Sequence, residues 1–74
     1  MAPLKPLRYR EVKRRLEAAG FAQTSQKGSH VKFVRTTSEE TRVVIVPLHA
    51  EVRMGTLRSN LNQAGLSPEE FAEL

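Results

Sequence analysis

No stretch limits the possible folds more than Lys27-Gly28 and the residues that follow it. A turn this tight leaves no room for a crossover, so the segments flanking it must pair antiparallel. From Ser29 the chain alternates, with Ser29, Val31 and Phe33 on one face and His30, Lys32 and Val34 on the other. Burying Val31 and Phe33 is worth a few kcal/mol, so their face is expected to meet the core. His30 then points to solvent, close to Lys27 and Lys32. A lone surface histidine is most often inert, yet an imidazole set among cations is available as a base at neutral pH.

The remaining elements are placed around this turn. Residues 1–7, with Pro3 and Pro6, read as an extended lead-in. From about residue 8 to 19, Tyr9, Val12, Leu16 and Ala19 recur at helical spacing, and Gly20-Phe21 has the form of a Schellman ending. Arg10, Arg14 and Arg15 lie off that apolar stripe. Strands are expected over residues 21–26 and 29–35, then a polar loop over 36–41. A third strand over 42–46, apolar on both faces, is expected to be central or covered, and Pro47 ends it. Gly55-Thr56 opens a second helix with Thr56 as N-cap; Leu57, Leu61 and Ala64 share a face and Gly65 terminates it. Ser67-Pro68-Glu69-Glu70 is a capping box for a short last helix that docks Phe71 and Leu74. The order is α-β-β-β-α(-α), an α+β fold of one domain over residues 1–74. Its three-stranded antiparallel sheet is expected to carry the helices on one face.

A hairpin closed by residues 36–41 would set Arg35 opposite Arg42 and His30 level with Pro47. His49 would then emerge near Gly28, gathering both histidines and Lys27 at one end of the sheet. Two imidazoles and a lysine without a carboxylate suit a phosphate better than a metal, since zinc would need a third protein ligand. The 74 residues contain no Asp and no Cys, and the eight Glu are dispersed. A carboxylate-held metal nuclease centre is therefore not expected, and no cofactor is called for. Tryptophan is absent and aromatics are few, which disfavours a base-stacking platform. The longest apolar run, 43–46, is too short to span a bilayer and no signal-peptide core is visible, so a cytoplasmic protein is expected.

Charge is unevenly spread. Residues 1–35 hold nine Lys or Arg against two Glu, whereas residues 36–74 hold three Arg against six Glu. A basic half of this kind suits a polyanion such as nucleic acid, although a solvated helix face explains charge alone equally well.

Several short segments, in order and spacing, carry a resemblance. They are Gly20-Phe21, Lys27-Gly28-Ser29-His30 with Phe33, and Val46-Pro47-Leu48-His49, followed by Gly55-Thr56-Leu57-Arg58-Ser59, Ala64-Gly65-Leu66 and Glu70-Phe71. From about residue 8 to 74 the chain resembles HicA-type toxins, the small mRNA interferases of bacterial HicA–HicB toxin–antitoxin systems. The resemblance implies a double-stranded-RNA-binding-domain-like fold, metal-independent RNA cleavage and a HicB-like antitoxin that covers the active site. It also implies that His30 is the catalytic histidine. Around it, Lys27, Gly28 and Ser29 are expected to support catalysis, and Lys27, Lys32, His49 and Arg58 to contact RNA. Two positions depart from the family pattern: Asn60 stands where relatives tend to be apolar, and Val31 where many have another histidine. The rival reading is a small RNA-binding module without catalysis. Such modules carry a Lys-rich start to the last long helix, whereas Met54-Gly55-Thr56-Leu57-Arg58 has one basic residue. A DNA-binding role suits the basic first helix but lacks a helix-turn-helix pair.

Overall fold

Two antiparallel hairpins share one strand. In the computed structural model, which describes residues 3–74, the order is α1 (Tyr9–Ala18), β1 (Ala22–Lys27), β2 (His30–Thr36), β3 (Thr41–Pro47), α2 (Met54–Ala64) and α3 (Pro68–Ala72). This is an α+β fold with a three-stranded sheet, consistent with a double-stranded-RNA-binding-domain-like arrangement. β2 lies between β1 and β3. Its ladder with β3 runs from His30↔Pro47 to Thr36↔Thr41 through Arg35↔Arg42, the register expected from the loop. Gly28-Ser29 forms the first turn, one residue later than expected, and joins Lys27 to its partner His30. Gly28 has φ +59°, and among the described residues none other than glycine has positive φ, so only the first turn position is left-handed, as in a type II′ hairpin.

Val31, Phe33, Val44 and Val46 are buried on one sheet face against Val12 and Leu16 of α1, Leu57, Leu61 and Ala64 of α2, and Phe71 of α3. The other face carries His30, Lys32 and Val34 beside Val43, Ile45 and Pro47 and has no helix over it.

β3 corrects one expectation: it is an edge strand. Val43 and Ile45 are 39% and 36% exposed, so their apolar character does not signal a central position. The edge is nevertheless closed at its middle. Asn60 Nδ2 of α2 donates to the Ile45 carbonyl at 2.7 Å, and the Ile45 N–H donates to Gln63 Oε1 at 3.2 Å. Asn60 is 2% exposed; its Nδ2 is paired, whereas its buried Oδ1 has no hydrogen-bond partner among the described residues. Through Nδ2 it satisfies a strand carbonyl that an apolar residue could not.

Helix boundaries follow from what each end can bond. α1 ends in the expected Schellman pattern, with Phe21 N–H donating to the Leu16 carbonyl (2.9 Å) and Gly20 N–H to that of Glu17 (3.0 Å). α2 starts two residues before the expected cap: Arg53 is its N-cap, and Thr56 lies within its first turn. The backbone pairing of Leu7 with Val52 holds the chain just before that start. α3 has its capping box, with Ser67 Oγ accepting from Glu70 N–H (3.0 Å) and Glu70 Oε1 from Ser67 N–H (2.8 Å).

Four arginines each donate to a carbonyl at the C-terminal end of a helix, where unpaired carbonyls and the dipole both favour a cation. Arg35 Nη1 reaches Ala19 after α1 (3.1 Å), and Arg42 Nη1 reaches Gln63 of α2 (3.4 Å). Arg15 Nη1 reaches Phe71 (3.2 Å) and Arg14 Nη2 reaches Leu74 (3.2 Å), both at the end of α3. Arg35 also lies over the Phe21 ring and Arg15 over Phe71, at 4.8 and 5.0 Å.

Candidate functional site

His30 is the first residue of β2, and its backbone pairs with Lys27 on one side and Pro47 on the other. Pleating sends its side chain to the helix-free face together with those of Lys32, two residues along, and Lys27, its cross-strand neighbour. All three are exposed, and none makes a side-chain hydrogen bond or ion pair among the described residues. The imidazole is thus open to water and to an incoming ligand, with an ammonium on either flank.

The turn beneath it is held from both sides. Gln26 Nε2 donates to the Gly28 carbonyl at 3.0 Å, and the Leu48 N–H donates to the Ser29 carbonyl at 2.6 Å. Nothing lies within 4 Å of where a Gly28 side chain would begin, so the backbone there can be approached closely. Gln26 was not foreseen; its spacing of two residues from Gly28 is compatible with this bridge but does not single it out.

His49 follows Pro47 and Leu48 out of β3, with its N–H donating to the Pro47 carbonyl at 2.9 Å. It leaves the sheet at the His30 end, as expected. Its surroundings, however, are Arg8, Tyr9, Arg10, Ala50 and Glu51, which line a common hollow with it, and not Lys27. Arg58 is exposed on α2 two residues before Asn60, hence on the side of the helix turned from the β3 edge. The structure therefore gathers Lys27, Gly28, Ser29, His30 and Lys32 into one surface. It joins His49 to the start of α1 and leaves Arg58 on a separate layer.

Both long helices begin at the His30 end of the sheet and finish at the Arg35–Arg42 end, so their positive dipole ends share a side with the histidines. Cations are also sorted. On α1, Glu11 accepts from Arg14 Nη2 (2.6 Å) and Arg15 Nε (2.8 Å), and these bonds, Arg14 first, hold its carboxyl down at about 2. Arg8 and Arg10 of the same segment have no such partner. No group of three or more His, Cys, Asp or Glu that could hold a metal occurs among the described residues. Nor is any described helix long and apolar enough to cross a membrane.

The model of one protein family, described as HicA toxin of bacterial toxin-antitoxin, matches residues 9–66. Among curated proteins none matches the chain.

Proposed function

The chain belongs to the HicA toxin family and is the toxin of a toxin–antitoxin system, and on that premise we propose that it is a metal-independent endoribonuclease that cleaves mRNA in the cytoplasm. The observation that carries this reading is the exposed, unpartnered His30 imidazole with Lys27 and Lys32 beside it on an open sheet face. RNA brings its own nucleophile, so a minimal site needs proton transfer and cationic stabilisation of a crowded phosphate. His30 takes the proton of a ribose 2′-OH as the O2′–P bond forms and the P–O5′ bond breaks. The leaving 5′-oxygen takes a proton from water, which reaches this exposed site. The products are a 2′,3′-cyclic phosphate and a free 5′-OH. A positioned acid–base group of this kind contributes about 10²–10⁴-fold. Lys27 and Lys32 face the charge that develops on the phosphoryl oxygens, and the Gly28-Ser29 turn offers backbone close to it. His49 and Arg58 engage RNA outside the reacting phosphate.

A partner must restrain such an activity, and a HicB-like antitoxin that covers the His30 end of the sheet would do so. Its acidic residues would speed encounter with this basic surface.

The test is cleavage of an RNA with a single 2′-deoxy substitution at the scissile position, run in excess EDTA. The all-ribo RNA should be cut at an undiminished rate in EDTA and the substituted RNA left intact. Cleavage of both RNAs would replace the 2′-OH with water as nucleophile, and loss of cleavage on chelation would remove the metal-independent mechanism. Replacing Lys27 and Lys32 together with Ala should lower the salt dependence of RNA binding.

A further inference from the structure

We propose that the hollow between the start of α1 and the loop after β3 is a second phosphate seat, which holds the RNA backbone beside the phosphate at His30. This rests on the reading of the chain as an RNA-cleaving toxin. The hollow, about 600 Å³, is lined by Arg8, Tyr9, Arg10, His49, Ala50 and Glu51. A second hollow shares Arg8, Arg10 and Glu51 and adds Lys5 and Glu11, so the two form one groove along the first turn of the helix.

Charge in the groove is uncommitted. The side chains of Lys5, Arg8 and Arg10 make no hydrogen bond or ion pair among the described residues. Glu11, by contrast, is already occupied by Arg14 and Arg15, so of the two carboxylates that line the groove among the described residues Glu51 is left to face the three cations. Arginine is the side chain best shaped for phosphate, because its forked donors meet two oxygens at once. Tyr9, which also lines the hollow, adds no charge to it, since burial, with Glu17 nearby, raises its pKa, and its side chain packs against the core.

The groove is also built to stay in place. Leu7 N–H donates to the Val52 carbonyl (3.1 Å) and Val52 N–H to the Leu7 carbonyl (2.7 Å), which ties the residue before Arg8 to the residue after Glu51. On the other side, Leu48 is bonded to Ser29 in the His30 turn. His30 is paired with Pro47, and His49 is two residues beyond, so the Cα atoms of the two histidines are at most roughly 13 Å apart. A strand with one phosphate at His30 can therefore pass a neighbouring phosphate into the groove. RNA fits better than an acidic protein segment, because Glu51 repels any anion alike but can accept a hydrogen bond from a ribose 2′-OH, a donor that the carboxylates of an acidic segment lack.

The test compares Arg8→Ala/Arg10→Ala with the parent in two settings. In a His30→Ala background, which binds RNA without cutting it, the affinity for a single-stranded RNA of about ten nucleotides should fall tenfold or more. The slope of log affinity against log salt should shrink by about 1.4, two contacts at roughly 0.7 each. With His30 present, KM for that RNA should rise while kcat holds, and cleavage of a dinucleotide that spans only the His30 phosphate should not change. Arg14→Ala, which removes a cation already bonded to Glu11, should keep the parent's affinity and slope. An unchanged affinity and slope in the double variant would overturn the seat. So would a loss of antitoxin binding with RNA binding retained, which would assign the groove to the protein partner. Should the parent bind RNA but fail to cleave it, the nuclease reading falls, while the binding arm still decides the seat.

Discussion

At the end of the sheet where Arg35 faces Arg42, cations are used up by the fold; at the end where His30 faces Pro47, the side chains of cations and imidazoles stand without partners among the described residues. The two ends differ little in composition and greatly in what their side chains touch. Arg35 and Arg42 lie on the core face, each bonded to the carbonyl end of a long helix. His30, Lys27 and Lys32 project from the opposite face, and Arg8 and Arg10 stand at the start of α1. A like-charged pair directly across a ladder is ordinarily unfavourable, yet Arg35 and Arg42 are drawn apart to separate helix ends. Net charge alone is thus a poor guide to a ligand surface: of the nine cations in residues 1–35, Arg14, Arg15 and Arg35 serve the fold.

The sharpest way to break this contrast is to exchange the roles of the two ends by mutation. His30→Ala should lower cleavage by about two to four orders of magnitude and change stability by less than about 0.5 kcal/mol. Arg35→Ala should do the reverse, losing about 2 kcal/mol through its charge-assisted bond to Ala19 and its packing on Phe21, with the catalytic rate of the folded fraction kept. Melting temperature and single-turnover cleavage, measured on both variants, separate the cases. A His30→Ala chain that unfolds, or still cleaves, would make the His30 end structural as well.

Gly65→Ala sharpens the picture at the bolted end. Gly65 has φ +72°, and a Cβ there would lie 2.6 Å from Arg42 Cζ. The left-handed backbone costs about 1–2 kcal/mol, and displacement of Arg42 from the end of α2 should add to it. If Arg42→Ala removes the added part in a double-mutant cycle, the two effects share that contact.

Asn60→Ala should cost about 1–2 kcal/mol, because the Ile45 carbonyl loses its donor and a small void opens. Faster amide exchange should be confined to β3. Uniform loss of protection across the sheet would mean that Asn60 supports the core as a whole.

The smallest effect concerns acid. The Glu11 carboxyl titrates at about 2, below its ordinary 4.5, because of Arg14 and then Arg15. A depressed carboxylate stabilises fully above its ordinary value, and that contribution is lost as pH falls from about 4.5 towards 2. The parent should lose melting temperature through this window, and Glu11→Gln should flatten that part of the curve.

Much of this architecture was legible beforehand. Alternation from Ser29, the Gly20 and Gly65 endings and the Ser67–Glu70 box are local signals, and local rules decide them. The hairpin register followed from the length of the 36–41 loop. What escaped was set by tertiary contact. The edge position of β3 could not be read from an apolar run, because an uncovered sheet face tolerates Val43 and Ile45. The start of α2 depended on the Leu7–Val52 pairing, forty-five residues apart in sequence. At the candidate site the turn residues and His30 were visible as a motif, whereas the grouping of His49 with Arg8 and Arg10 comes only from packing α1 beside the loop. Asn60 read as a misfit until its partner on β3 was seen.

That partner has a consequence for how molecules of this kind can associate. Along the outward rail of β3, Ile45 has both backbone groups taken and Pro47 has no N–H to give, so a further strand finds little to hold. β1, exposed throughout, keeps the other border open, interrupted by the register shift between Gln23 and Ser25. Strand addition is therefore favoured on the β1 side. Two molecules joined border to border would use up the border of each, and growth would stop at a pair instead of propagating into a fibre.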